Sequence, residues 1–290
     1  MRVIIIGVDG LIGKALHANL KRKAYDVLGT TRRGDDTAGG DRFFLDLSAP
    51  NLPSLPVTDV AIFCAAMSKF ADCRNFPDLA HRVNVTGPLA LATDIVERGG
   101  RVLTLSSSIV FDCLSPRANA DRSPAPRCAY GRMMAEAEAG ILALGGNVLR
   151  LTKIVTPESG RLVDWAGALK QGQQLRAFED HRFCPMALED AVESIAAVIE
   201  QPDGGIFQAS GADDISYADA ARHLADRLAI PRTRIEGTLA VDHGVPQNEI
   251  TPFTSLDTSR LSALTGYRPP RAHDVIDQVL AGAFADIAAS

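Results

Sequence analysis

An α/β fold, a doubly wound parallel sheet with a smaller C-terminal lobe, is expected of this chain on three grounds. The first is a short β-branched run, Arg2 to Ile6, stopped by Gly7 and followed at once by helical periodicity. The second is the alternation of strand-like and helix-like segments as far as Leu151, which implies parallel β-α-β units. The third is the change of rhythm after Pro157, where helices joined by Pro- and Gly-bearing connections replace the alternation.

In order, a first helix is expected over residues 11–23 and a second strand over 25–30. Residues 43–45 read as a third strand and 60–64 as a fourth. Residues 77–98 read as one long helix bent at Gly87-Pro88, because proline has no N–H to donate. A strand at 101–106, a helix at 129–144 and the strand Asn147–Leu151 complete the first part. Beyond Pro157, helices are expected at 161–171, 188–200 and 216–228, the last opened by the capping pair Ser216 and Asp219. A final helix covers about 273–288. These boundaries divide the chain into a first domain of residues 1–156, rejoined by a returning segment at about 188–210, and a smaller lobe of residues 157–187 and 211–290.

The bulk properties narrow the function. The chain has 290 residues, 46% of them hydrophobic, enough for a sizeable core. Its net charge is −5 and it has no basic run, which argues against a nucleic-acid partner. The apolar run Val3 to Ile6 is far too short to span a membrane, and no cleavable signal pattern follows it. The five cysteines, Cys64, Cys73, Cys113, Cys128 and Cys184, form no C-x-x-C pair, so a reducing, cytoplasmic setting is expected. The six histidines are scattered without a metal-binding spacing.

Gly7-Val8-Asp9-Gly10-Leu11-Ile12-Gly13 lies directly between the first strand and the first helix. A glycine there takes the tight turn and lets a pyrophosphate approach the backbone, while the helix N-terminus offers free N–H groups to it. The spacing is one residue wider than G-x-G-x-x-G, and its context marks a Rossmann-like dinucleotide site with Gly7, Gly10, Leu11, Ile12 and Gly13 against the cofactor. Asp9 would repel phosphate unless its side chain turns away. At the end of the second strand, where an acid usually grips the ribose of NAD, the chain has Thr30-Thr31-Arg32-Arg33. Arg32 and Arg33 suit a 2′-phosphate, which favours NADP(H) and leaves NAD(H) open.

These segments, with others along nearly the whole chain, resemble the extended short-chain dehydrogenases, and within them the dTDP-4-dehydrorhamnose reductase group. Phe44-Leu45-Asp46-Leu47 is similar to the third-strand signature, which implies Asp46 and Leu47 on the adenine side. Phe63-Cys64-Ala65-Ala66 matches the segment usually written N-A-A, with Cys64 in place of Asn, which implies Cys64, Ala65 and Ala66 against the cofactor. Asn84-Val85-Thr86-Gly87 resembles the N-x-x-G of the central helix, which implies Asn84 against the cofactor, and Ser106 to Asp112 resembles the S-T-D-Y-V-F-D segment. Leu256-Asp257-Thr258-Ser259-Arg260-Leu261, with Gly266 and Pro269-Pro270, is close to a family hallmark.

The resemblance implies catalysis by Ser107, which polarises the substrate oxygen, and Tyr130, which exchanges a proton with it. It also implies a lysine four residues after the tyrosine, on the same helical face, to lower the phenol's pKa and hold the nicotinamide ribose. That position holds Met134, which has no charge. Arg132 should face away, and Lys153 lies beyond the next strand. In the second lobe, with Ser108, the substrate-binding candidates are Arg161 and Arg182, which suit a sugar-nucleotide diphosphate. His181 and the Phe183-Cys184-Pro185 turn accompany them, and Asp190 reads as a structural acid at a helix N-terminus. A homodimer is compatible with the resemblance.

Three readings stay open. One is an NADP(H)-dependent reductase or epimerase acting on a nucleotide-activated sugar or related carbonyl compound. Another, motivated by Met134 and Cys64, is a dinucleotide-binding regulatory or scaffold protein without hydride chemistry. A lyase or redox-neutral isomerase that needs no lysine is the third, and no residue selects it.

Overall fold

The computed structural model describes residues 1–34 and 40–284. The first part runs β1 (Arg2–Ile6), α1 (Leu11–Arg22), β2 (Asp26–Thr31), β3 (Arg42–Phe44), β4 (Val60–Phe63), α2 (Phe70–Asn75) and α3 (Pro77–His81). A π-helical turn (Arg82–Thr86) leads to α4 (Gly87–Glu97), β5 (Arg101–Ser107), a 3₁₀ turn (Ser108–Val110), α5 (Ala129–Ala143) and β6 (Asn147–Leu151). Next come β7 (Lys153–Val155), α6 (Arg161–Lys170), β8 (Leu175–Phe178), β9 (Arg182–Phe183), β10 (Pro185–Ala187), α7 (Leu188–Val198) and β11 (Gly205–Ala209). The chain ends with β12 (Ile215–Ser216), α8 (Tyr217–Arg227), β13 (Ile235–Thr238), α9 (Ser259–Thr265) and α10 (Ala272–Ala283).

The expected α/β architecture is present: the main sheet has seven strands in the order β11-β6-β5-β4-β1-β2-β3. From β3 to β5 every pairing is parallel, with Ile6 opposite both Thr30 of β2 and Phe63 of β4. The chain starts in the middle of the sheet, walks to the β3 edge, then crosses back to β4. The strand order therefore reverses between β1 and β4, the place where open α/β sheets bind ligands. Strands covered on both faces read as continuous apolar runs, and Val3, Ile4, Ile5 and Ile6 are 0–1% exposed. One face of the sheet packs on α4 and α5 through Ile4, Ile6, Phe63, Leu91, Ile95 and Ile141.

The chain forms two compact units, residues 1–111, 123–150 and 191–208, and residues 112–122, 151–190 and 209–290. The C-terminal unit takes in residues 112–122, which the sequence boundaries place in the first domain. Its core joins α6, α8 and α10 through Leu162, Ala166, Ala221, Leu224, Ile276 and Leu280. Three two-stranded pairings, β7 with β10, β9 with β12 and β8 with β13, complete it.

Residues 77–97 run as the expected long helix, since α3, the π-helical turn and α4 are continuous in αR backbone, and its irregularity is the π turn just before Gly87-Pro88. Pro88 lacks the N–H that would continue the α-helical ladder, and the Gly87 N–H reaches back five residues to the Arg82 carbonyl. The C-terminal region, read as helices only, also contains six short strands of two to four residues, too short to show a period. The last helix ends at Ala283, and the remainder of its expected span, 285–288, lies outside the described residues.

Candidate functional site

The glycine loop is shaped by close approaches. Gly7 has φ +92°, and a Cβ there would lie 2.7 Å from the Cβ of Ala65. A Cβ on Gly13 would lie 2.3 Å from the Gly7 carbonyl oxygen, so the start of α1 packs directly on the turn. Gly10 differs, since its Cβ would meet nothing nearer than 3.5 Å. Its outer side is open, and it caps α1 without a side-chain hydrogen bond and with no acid in the first turn. The N–H groups of Leu11, Ile12 and Gly13 therefore form an uncompensated helix N-terminus suited to an anion.

A cavity of about 370 Å³ opens at this loop. Gly7, Asp9 and Gly10 form one wall, Thr31, Arg32 and Arg33 from the end of β2 another, and Leu45, Asp46 and Leu47 beyond β3 a third. Cys64, Ala65, Ala66 and Met67, just after β4, close it. Nine of the residues singled out from the sequence thus share one cavity, while Asn84, Met134, Ser107 and Tyr130 are not among its lining residues.

The charges in the cavity are arranged. The Asp9 carboxylate accepts from the Thr31 hydroxyl and from Arg42 Nη1, the latter at 3.3 Å. The Thr31 hydroxyl also accepts from the Arg33 N–H at 2.9 Å, which ties the glycine loop to the arginine turn. Asp46 accepts from the N–H (2.9 Å) and the hydroxyl (2.7 Å) of Ser48. Those bonds, with a smaller contribution from the charge of Arg32, hold its carboxyl below the usual range. Burial pushes the Cys64 thiol up to about 12, so the residue in the Asn position is a neutral thiol at neutral pH.

Asn84 serves the cavity from behind. Its side-chain oxygen accepts from the Met67 N–H at 2.8 Å and its amide donates to the Met67 carbonyl at 3.0 Å. It is 2% exposed, so it pins the Cys64–Met67 loop rather than facing the cavity.

Ser107 ends β5, where its hydroxyl accepts from the Ile109 N–H at 3.3 Å, and hydrogen bonding from Ser107 favours the ionised form of the Tyr130 phenol. The start of α5 is pressed against the same turn: a Cβ on Gly131 would lie 2.3 Å from the Ile109 carbonyl oxygen. The Cys128 thiol caps the helix by accepting from the Gly131 N–H at 3.4 Å. Phe70 stacks on Tyr130 with ring centroids 5.8 Å apart. Burial raises the phenol's pKa above its ordinary value, the thiols of Cys73 and Cys128 raise it further, and the Ser107 bond offsets only part. Met134 is 3% exposed. Arg132 is exposed and donates to the Arg127 carbonyl at 3.2 Å.

In the C-terminal unit Arg161 opens α6, its guanidinium 4.8 Å from the ring centroid of Tyr217 and 5.7 Å from that of Trp165. Burial, and then the charge of Arg161, lowers the pKa of Lys153 on β7. His181 is lowered to about 4, by burial first and then by Arg161 and Lys153, against a raising contribution from Asp180. Three basic groups from three elements thus share one neighbourhood, a grouping that sequence spacing does not reveal. Arg182 instead lines a cavity of about 330 Å³ with Asp219, Arg222, His223 and Asp226. Among the described residues, no group of three or more His, Cys, Asp or Glu could hold a metal ion, and no helix is long and apolar enough to cross a membrane.

The His181 environment makes a prediction. Its Nδ1 accepts from the Thr251 N–H at 3.0 Å and its ring stacks on Tyr217, so the folded state favours the neutral form. The folded pKa lies below the unfolded one, so the unfolded chain binds the extra proton between pH 6.5 and about 4. Stability is therefore expected to fall as pH falls through that window, and His181→Asn should flatten the fall. Urea midpoints at pH 7 and pH 5 check it, and equal slopes in both proteins would refute it.

Comparison with known proteins follows the same lines. The family model described as the RmlD substrate binding domain matches residues 1–283. The methionine adenosyltransferase 2 subunit beta of Bos taurus is 27% identical over 285 residues, covering 93% of this chain and 84% of that protein. The dTDP-4-dehydrorhamnose reductase of Yersinia enterocolitica superposes with a TM-score of 0.85 at 20% identity, over 98% of this chain and 99% of that one. The Bacillus anthracis dTDP-4-dehydrorhamnose reductase in complex with NADP gives 0.78 at 18% identity, over 96% and 98%.

Proposed function

The chain belongs to the RmlD substrate binding domain family, and on that premise we propose that it binds NADP(H) and reduces or epimerises a carbonyl of a nucleotide-activated sugar or related compound. The observation that carries this reading is the convergence of the glycine loop, the β2 end and the β4 end on one cavity where the strand order reverses. The residues present fit a dinucleotide. Gly10 leaves room for a pyrophosphate, the α1 N-terminus faces it, and Arg32 and Arg33 suit a 2′-phosphate. The Bacillus anthracis relative was solved with NADP.

When bound, NADP(H) supplies or accepts the hydride. Ser107 holds the substrate oxygen by a hydrogen bond, and Tyr130 gives or takes its proton. Ser108, next to Ser107, is the substrate-side candidate of the first unit and Arg161 that of the C-terminal unit, while Arg182 lines a different cavity. The Arg161 guanidinium, with Lys153 beside it, suits a negatively charged part of the substrate.

A second reading, a dinucleotide-binding regulatory subunit, is favoured by two observations: Met134 supplies no cation, and burial leaves the Tyr130 phenol harder to ionise. The Bos taurus relative carries the name of a subunit. Titration with NADPH and NADH, followed by turnover of a dTDP-4-keto sugar, separates the readings. NADPH is expected to bind at micromolar concentration and more tightly than NADH, with about tenfold weakening in Arg32→Ala or Arg33→Ala. Turnover that vanishes in Tyr130→Phe supports the reductase. Tight NADPH binding without turnover of any carbonyl compound supports the regulatory reading, and no binding of either cofactor defeats both.

A further inference from the structure

We propose that Arg42, through its ion pair with Asp9, is a specificity-determining residue that lets the cavity accept a dinucleotide bearing a 2′-phosphate. The inference rests on the cofactor reading above and concerns a part of the cavity that reading leaves unexplained: a carboxylate in the glycine loop, beside the place assigned to a phosphate.

Asp9 lines the cavity together with Thr31, Arg32 and Arg33. Its side chain is 22% exposed, and it lies within one hydrogen bond of the end of β2. A bare carboxylate there acts in two ways, and both favour NAD(H). It accepts hydrogen bonds from a ribose diol, and it repels a 2′-phosphate. Arg32 and Arg33 alone would work against that charge.

The fold cancels it instead. Arg42, the first residue of β3, stands opposite Gly29 of β2 and brings Nη1 to 3.3 Å from Asp9 Oδ1. The Thr31 hydroxyl donates to Oδ2 while accepting from the Arg33 N–H. Both carboxylate oxygens are therefore engaged, one by a cation and one by a donor, and the charge a ligand meets at Asp9 is largely neutralised. The same chain of bonds fixes the turn that presents Arg32 and Arg33. Arg42 acts through Asp9, so it is a positioning residue, and its removal exposes the Asp9 charge to the phosphate.

The test is a double-mutant cycle read as dissociation constants for NADPH and NADH. Arg42→Ala is expected to weaken NADPH about tenfold and to change NADH by less than about twofold. Asp9→Asn keeps an acceptor for Thr31 without the charge and should bind NADPH at least as tightly as the wild type. The double variant Asp9→Asn/Arg42→Ala should recover NADPH affinity to within about threefold of the wild type, because no charge is left to neutralise. A purely structural role for Arg42 would weaken both cofactors alike and would not be rescued by Asp9→Asn. That pattern, or an unchanged NADPH-to-NADH ratio in Arg42→Ala, overturns the inference while leaving the cofactor reading intact. Wild-type protein that binds neither cofactor overturns the cofactor reading and this inference with it.

Discussion

Glu138→Ala is expected to cost about 3–5 kcal/mol of folding stability, more than any other single truncation considered above. Glu138 and Arg150 are 2% and 1% exposed. Arg150 meets the carboxylate with two bonds, Nε to Oε1 at 2.9 Å and Nη2 to Oε2 at 2.7 Å. Its third nitrogen donates to Gln208 Oε1 at 3.3 Å, and its guanidinium lies 4.8 Å from the centroid of Phe111. Removing the carboxylate leaves a guanidinium in the core without the counter-charge of Glu138, and the desolvation penalty of that charge dominates the loss. Replacing both partners together, Glu138→Leu with Arg150→Met, should restore most of the stability, because no unpaired charge remains. Urea unfolding of the two variants checks the pattern. A loss below about 1 kcal/mol in Glu138→Ala would show that the buried pair does not hold α5 to β6. The consequence for function is geometric, since α5 carries Tyr130 two turns before Glu138, and the pair anchors the helix that sets the phenol beside Ser107.

The parts of the fold that could be read from the sequence are those whose signal is local. The β1 run, the glycine loop and the start of α1 announce themselves within a dozen residues, because apolar runs, turns and helical periods are short-range patterns. The residues around the cavity, from Gly7 to Ala66, follow from that frame, since parallel strands must deliver their C-terminal ends to one edge of the sheet. What escaped depends on partners far away in the chain. Asp9 looked like an obstacle to phosphate because Arg42, which neutralises it, comes from another strand. Asn84 fills the N-x-x-G position that implies a cofactor contact, yet its amide is spent on the Met67 backbone. The strands β7 to β10, β12 and β13 are too short for any periodicity, and the Lys153, Arg161 and His181 neighbourhood gathers three elements that only folding brings close.

Met134→Lys is expected to raise whatever carbonyl reductase rate the wild-type chain shows, by roughly tenfold to a hundredfold, at a cost in stability. The phenol of Tyr130 is held above its ordinary value by burial, and the Ser107 bond offsets only part of that shift. It stays protonated through neutral pH, so in the oxidation direction, where it must take up a proton from substrate as the phenolate, the wild-type rate should climb with pH and reach no plateau below pH ~10. A cation at residue 134 shares the helical face of Tyr130, stabilises the phenolate and moves that climb to lower pH. Because Met134 is 3% exposed, the new ammonium is poorly hydrated, and a lowered melting temperature should accompany the faster rate. The gain must run through the phenol, so Tyr130→Phe/Met134→Lys should lose it, whereas a gain that survives the double substitution would place the lysine's effect on cofactor binding alone. If Met134→Lys changes neither the rate nor the NADPH affinity, Ser107 and Tyr130 are not poised for hydride chemistry. The buried methionine would then be a core residue of a dinucleotide-binding subunit whose output is association with a partner.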